Sequence, residues 1–161
     1  MVVFRIGEEE FALDIMMAKE VVVKRDITPV PETDDYVEGV MNLRGNLIPV
    51  LDFRRRLRAR VLRREGSERI IVIIIDGKPL GLMVDSTSEV IRVNDEMIEP
   101  APDIIGESDV RYVSGIVNLK GRFITLIDVR SALSETITHD LEHIMGLLTR
   151  SSEAVAQAEA I

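Results

Sequence analysis

Three constellations in the sequence carry side chains that could do chemistry. His139-Asp-Leu-Glu142-His143 fits H-x-x-E-H, in which two histidines one helical turn apart ligate zinc and the glutamate acts as general base. That chemistry needs a third ligand, normally an acidic residue well downstream. Only 18 residues follow His143, and the chain holds no other histidine and no cysteine. The pattern is read as the polar face of a helix, and neither a metal nor a cofactor is expected. Asp52 and Asp128, with Arg54 and Arg130 two residues on, form a conceivable carboxylate pair for acid–base work. They occupy equivalent places in a repeat, which helix capping explains better. Ser86 and Ser114 have no histidine nearby to activate them, and the glycines lack the G-x-x-x-x-G-K-[ST] spacing that cradles phosphates. No catalytic residue is assigned.

The third constellation is a run of arginines. Seven of the eleven residues from Arg54 to Arg64 are Arg (54, 55, 56, 58, 60, 63 and 64); with them removed from the net −8, the rest of the chain stands at about −15. The overall charge argues against general affinity for nucleic acid, whose phosphates would be repelled. The run has no aromatic residue for base stacking and joins two apolar stretches. It is read as a solvated connector that contacts acidic protein surfaces, not as a nucleic-acid arm.

The elements that must position these residues are organised around a repeat. Residues Tyr36 to Leu57, YVEGVMNLRGNLIPVLDFRRRL, return at Tyr112 to Leu133 as YVSGIVNLKGRFITLIDVRSAL, with ten of 22 aligned positions identical. In the first copy Asp34 to Gly39 is a turn-like step, Val40 to Leu43 a strand, Arg44-Gly45-Asn46 a tight turn in which Gly or Asn takes positive φ, and Leu47 to Leu51 the return strand. Asp52 then caps a short helix to Leu57. Before the repeat, Val2 to Ile6 and Phe11 to Ile15 make a hairpin about the polar turn GEEE, with Phe11, Leu13 and Ile15 on the core face. Val21 to Val23 is a further β-rich run, and Pro29 and Pro31 punctuate the connection after it. Ile70 to Ile75 and Leu80 to Val84 form the comparable hairpin of the second half. An offset of 69 places Phe11, Leu13, Ile15, Glu20 and Val21 on Leu80, Leu82, Val84, Glu89 and Val90. The offset grows to 76 at the repeat, so Pro100 to Asp109 carries seven extra loop residues.

Short strands bounded by Gly and Pro turns point to an all-β barrel architecture, in two copies of roughly five strands. Each barrel is close to the lower size limit for independent stability, so the two should share an interface, with exchange of segments left open. The division expected is one domain over 1–150, with subdomains at about 15–70 and at 1–14 plus 71–135, a closing helix over 136–150 and a tail over 151–161. In that helix Ile137, Leu141, Ile144, Met145 and Leu148 share a face. The tail is weakly amphipathic and expected to be partly ordered at best. The longest aliphatic run, Ile70 to Ile75, is far short of the ~18 to 20 residues that span a membrane. The opening MVVFRIG has no signal-peptide pattern, and a soluble intracellular protein is expected.

Val30-Pro31, the run G-V-M-N-L-R-G from Gly39 to Gly45, P-V-L-D-F-R from Pro49 to Arg54 and G-L-M-V-D from Gly81 to Asp85 resemble the CheW family of chemotaxis coupling proteins. The resemblance spans Val3 to about Leu148. It implies two tandem five-stranded SH3-like barrels with an apolar interface and a closing helix. It also implies a non-enzymatic adaptor that joins the cytoplasmic tips of methyl-accepting chemoreceptors to the regulatory domain of the histidine kinase CheA. Such an adaptor works in the cytoplasm, at membrane-associated receptor arrays, with no membrane insertion and no nucleic-acid partner. Receptor contact would fall in the groove between barrels, at Ala18, Glu20, Gly39, Arg44, Gly81 and Val90. Glu20 and Arg44, of opposite charge, could pair across that groove; otherwise Arg44 is a turn residue and Glu20 a solvated strand end. Kinase contact would use exposed apolar residues at barrel ends, which no motif names. The alternatives are a CheW-like module of another chemosensory or motility pathway and a detached kinase regulatory domain. The absence of a fused kinase or receiver region favours the stand-alone adaptor.

Overall fold

A computed structural model describes residues 1–56, 68–100, 112–133 and 141–147. Most of them lie in eleven strands. The first hairpin is β1 (Val2–Ile6) with β2 (Glu9–Leu13); β3 (Ala18–Val23) follows; β4 (Val37–Leu43) and β5 (Asn46–Asp52) are the hairpin of the first repeat copy. The second half runs β6 (Arg69–Ile75), β7 (Lys78–Val84), β8 (Ser86–Val90), the two-residue β9 (Ile98–Glu99), β10 (Val113–Leu119) and β11 (Arg122–Ile127). Single-turn helices α1 (Phe53–Arg56) and α2 (Val129–Ala132) close each copy of the repeat, and α3 covers 141–147.

The strands form two sheets, ordered β3-β6-β7-β5-β4 and β8-β1-β2-β11-β10-β9. The boundary therefore differs from the one expected at residue 70. Strands β6 and β7 pair with β3 and β5 of the first copy, and β1 and β2 pair with β8 and β11 of the second. Each half lends its leading hairpin to the other half's sheet. The crossing back to the N-terminal sheet falls at Asp85, between β7 and β8.

The reason for the exchange lies in which faces are buried. In β6, Ile71 and Ile73 join a core cluster with Val2, Phe4, Phe11 and Leu13 of the other sheet, while Ile70 and Val72 point into their own barrel with Met41, Val50 and Met83. Strand β1 divides likewise, with Phe4 and Ile6 towards the shared cluster and Val3 inward with Ala12, Val117 and Ile124. The two exchanged hairpins are thus the interface, buried on both faces, which is why β6 is aliphatic without alternation. Among the described residues the shared cluster holds nineteen buried side chains, against seven and five in the barrel interiors. The molecule is held together more by its seam than by either barrel.

Two strand expectations needed correction. Ile15 is exposed, because the strand stops at Leu13 and Asp14 starts a tight turn, its carboxylate accepting from the Met16 amide at 2.9 Å. The six-stranded sheet gains its extra strand from Ile98–Glu99, which pair with β10, where the equivalent connection in the first copy makes only a Thr28–Val40 bridge. In α3, Ile144 is fully buried and Leu141 packs against the shared core. Ile137 and Leu148 of the expected helix lie outside the described residues, as do the 151–161 tail, most of the Pro100–Asp109 loop and the arginine run beyond Arg56.

Candidate functional site

The repeated letters resolve into repeated jobs. Asn42 and Asn118 each accept, through the side-chain oxygen, from the amide of the turn glycine three residues on, at 2.8 and 3.0 Å. The carbonyls of Tyr36 and Tyr112 each accept from the Asp at the end of the hairpin, both at 2.7 Å. Gly39 and Gly115 sit at equivalent register shifts in β4 and β10. A Cβ at Gly39 would collide with the Thr28 carbonyl, and one at Gly115 would lie 2.5 Å from Ile98 Cγ2. These shared positions serve the backbone of each copy, while apolar residues that differ between copies, such as Met41 and Val117 or Phe53 and Val129, still fill the core.

Asp52 and Asp128 cap α1 and α2: Asp52 accepts from the Arg54 amide at 3.1 Å, Asp128 from those of Arg130 and Ser131. Their arginines part company. Arg130 reaches Asp76 at 3.2 Å on the surface. Arg54 is buried, at 5% exposure, between Asp52 (Nε to Oδ1, 2.9 Å), Asp85 (2.7 Å) and Glu68 (3.1 Å). Burial alone would lower its pKa, but hydrogen bonds to Asp52 and Asp85 more than offset this, and the guanidinium is held firmly charged. The first arginine of the run is therefore a core residue and not part of a solvated connector; Arg55, exposed, donates to the Asp35 carbonyl at 2.8 Å.

The structure brings two of the six expected receptor-side residues into direct contact. Glu20 on edge strand β3 forms an ion pair with Arg44 in the β4–β5 turn. Arg44 and Gly45 both take positive φ, 51° and 86°, so the arginine itself occupies the left-handed position expected for Gly or Asn. Ala18 lies two residues before Glu20 and is partly buried. Gly39 and Gly81 are buried backbone positions: Gly81 sits between Ile70 and Val50, where a Cβ would stand 2.8 Å from Ile70 Cγ2. Val90 is exposed on β8, an edge of the other sheet. Two apolar residues of β3 that motif reading did not single out, Val21 and Val23, are 41% and 59% exposed on the strand that carries Glu20.

The second barrel has its own version of the ion pair. Glu89, aligned with Glu20, contacts Arg122 at 2.7 Å, and Arg122 also holds Glu10 at 2.8 Å. The Arg122 hydrogen bond, opposed by burial and helped by the charges of Arg122 and Arg5, lowers the Glu10 pKa. The cation thus comes from the first residue of β11, not from Lys120 at the position of Arg44. Leu47 and Phe123, aligned in the repeat, are exposed one residue into β5 and β11.

Among the described residues no three or more His, Asp or Glu side chains are grouped to hold a metal. His139 lies outside the described residues, and His143 is partly exposed on α3. A cavity of about 290 Å³ beside α3 is lined by apolar residues, among them Leu80, Leu133 and Leu141, and by Asp76, Lys78 and Arg130. No described helix is long and apolar enough to cross a membrane.

Tandem barrels sharing a core, with charged pairs and exposed apolar residues at strand edges, define a scaffold of the protein-contact kind. The CheW-like domain model matches residues 1–136, and the chain belongs to the CheW family of chemotaxis coupling adaptors. It is 35% identical to the probable chemotaxis protein CheW of Rhizobium etli over 84% of this chain and 88% of that protein. Against the chemotaxis protein CheW of Rhizobium meliloti it is 34% identical, over 81% and 84%. The crystal structure of the scaffolding protein TtCheW from Thermoanaerobacter tengcongensis superposes with a TM-score of 0.71 at 38% identity, covering 79% of this chain and 86% of that one.

Proposed function

We propose that this chain is a non-enzymatic adaptor that holds the cytoplasmic tips of chemoreceptors against the regulatory domain of the histidine kinase CheA, at receptor arrays on the cytoplasmic side of the membrane. The observation that carries the receptor side is the Glu20–Arg44 pair. It joins β3 to the turn between β4 and β5, and the strand that carries Glu20 also presents Val21 and Val23, which are too exposed to serve the core. A helical tip can lay an apolar stripe on such a surface while the charges fix its orientation. Gly39 and Gly81 shape the sheet beneath, Ala18 extends the strand, and Val90 would meet the tip from the second barrel. The kinase side is assigned to Leu47 and Phe123, because an exposed apolar residue recurs at the same place in each barrel.

Pull-down of a receptor cytoplasmic fragment, and separately of the CheA regulatory domain, tests the division of surfaces. Glu20→Ala and Arg44→Ala should each weaken receptor binding about tenfold, roughly 1.4 kcal/mol, and leave kinase binding in place. The melting temperature should hardly move, since a half-exposed pair contributes little to stability. Equal loss of both partners would reject separate surfaces, and binding of neither by the unaltered chain would reject the adaptor role itself.

A further inference from the structure

Arg54, Asp52, Asp85 and Glu68 form a buried ionic knot where the two sheets meet, and nothing in the adaptor's contact surfaces uses it. Asp52 and Asp85 are 1% and 7% exposed. Asp85 is the single residue between β7, in one sheet, and β8, in the other. Its amide donates to the Arg5 carbonyl at 3.0 Å, and its Oδ2 accepts from the Gly7 amide at 2.6 Å, both in the N-terminal hairpin. Its other oxygen, Oδ1, accepts from Arg54 at 2.7 Å. Arg54 is anchored in turn at the end of β5 by Asp52 and ahead of β6 by Glu68. Glu68 also meets Lys24, next to the end of β3: the Lys24 amide donates to its carbonyl at 3.3 Å, and the ammonium lies 3.6 Å from its carboxylate.

The apolar seam around the knot is strong but non-directional, so it resists separation of the barrels more than it resists sliding. Short charged hydrogen bonds in a buried setting are directional and fix geometry. We propose that Arg54 and Asp85 are positioning residues: their ion pair is the joint that sets the angle between the two barrels, and hence between the surfaces each barrel presents. The link to partner surfaces rests on the adaptor reading; the joint itself does not.

Because the chain has no cysteine, spin labels can be placed on Lys19→Cys of β3 and Arg92→Cys beyond β8, and their separation measured by pulsed electron resonance. The parent double mutant should give one narrow distance. Asp85→Asn and Arg54→Gln should broaden it and shift its mean by about 2 Å or more, the scale of a domain rearrangement. Arg122→Gln, which breaks an exposed network inside one sheet, should leave the distance alone. Arg54→Lys, which keeps the charge but lacks the planar fork, should fall between and stand in if the neutral variants fail to fold. An unchanged distribution in folded Asp85→Asn or Arg54→Lys would overturn the proposal and leave the knot a matter of stability only. A broad distribution in the parent protein would overturn it equally.

Discussion

Gly39 is the residue at which this sequence has least freedom. Its φ of +141° is open to glycine alone, and the Thr28–Pro29 backbone passes directly over it, with Pro29 Cα 3.0 Å from where a Cβ would stand. Gly45 also has positive φ, but a Cβ there meets nothing within 4 Å. Urea unfolding of the two alanine variants should separate the effects: Gly45→Ala costs about 1 kcal/mol for conformation alone, while Gly39→Ala costs roughly 3 kcal/mol or more because backbone must also move. Equal losses would mean that the crossing strand is not packed as described. At this scale the sequence was a good guide at Gly39, Asn42, Asp52 and their counterparts, each of which keeps a local backbone job. It misled at Arg54. Six further arginines within eleven positions point to solvent, and the acceptor that buries this one, Asp85, lies 31 residues away. Lys120 stands at the position of Arg44 in the repeat, yet the cation that meets Glu89 is Arg122, two residues on.

The two capped helices α1 and α2 are the same element put to different uses. Asp128 holds two amides at an exposed helix start, whereas Asp52 holds an amide and one side of a buried guanidinium. Removing the first should cost about 1 kcal/mol, an ordinary capping loss. Removing the second should cost about 3 kcal/mol or more, because Arg54 loses part of its charge compensation in the interior. Thermal unfolding of Asp52→Ala beside Asp128→Ala checks this, and a similar loss in both would show that Asp52 acts as a cap and little else. The hairpins themselves were legible from turn chemistry, with Asp76-Gly77 and Arg44-Gly45 both in the left-handed pair that a two-residue hairpin requires. The N-terminal hairpin was expected with the second half, where it lies, but the exchange of β6 and β7 into the first was not read, because an alignment of two copies is blind to whether a hairpin pairs with its own half or with the other.

For the molecule as a whole, the shared cluster outweighs the barrel interiors, so neither barrel should persist once the other opens. Calorimetry should show one transition with matching calorimetric and van't Hoff enthalpies. Phe53→Ala removes a ring that packs 6.0 Å from Phe4 across the seam and should lower stability by about 3 to 5 kcal/mol in that same single step. Two resolved transitions would mean that the barrels fold apart. The hairpin exchange carries a further cost, which concerns the order of synthesis. Strands β1 and β2 leave the ribosome first, yet β2 must pair with β11 at Glu10–Ile124, 114 residues later. At about 5 to 20 residues per second, the outer edge of β2 and the inward-facing Val3 and Ala12 wait on the order of ten seconds for β10 and β11. The contiguous barrel, β3 to β7, is complete well before that. The nascent chain therefore passes through an interval in which one finished barrel trails a sticky leading hairpin, and chaperone capture or pairing between neighbouring nascent chains should concentrate there.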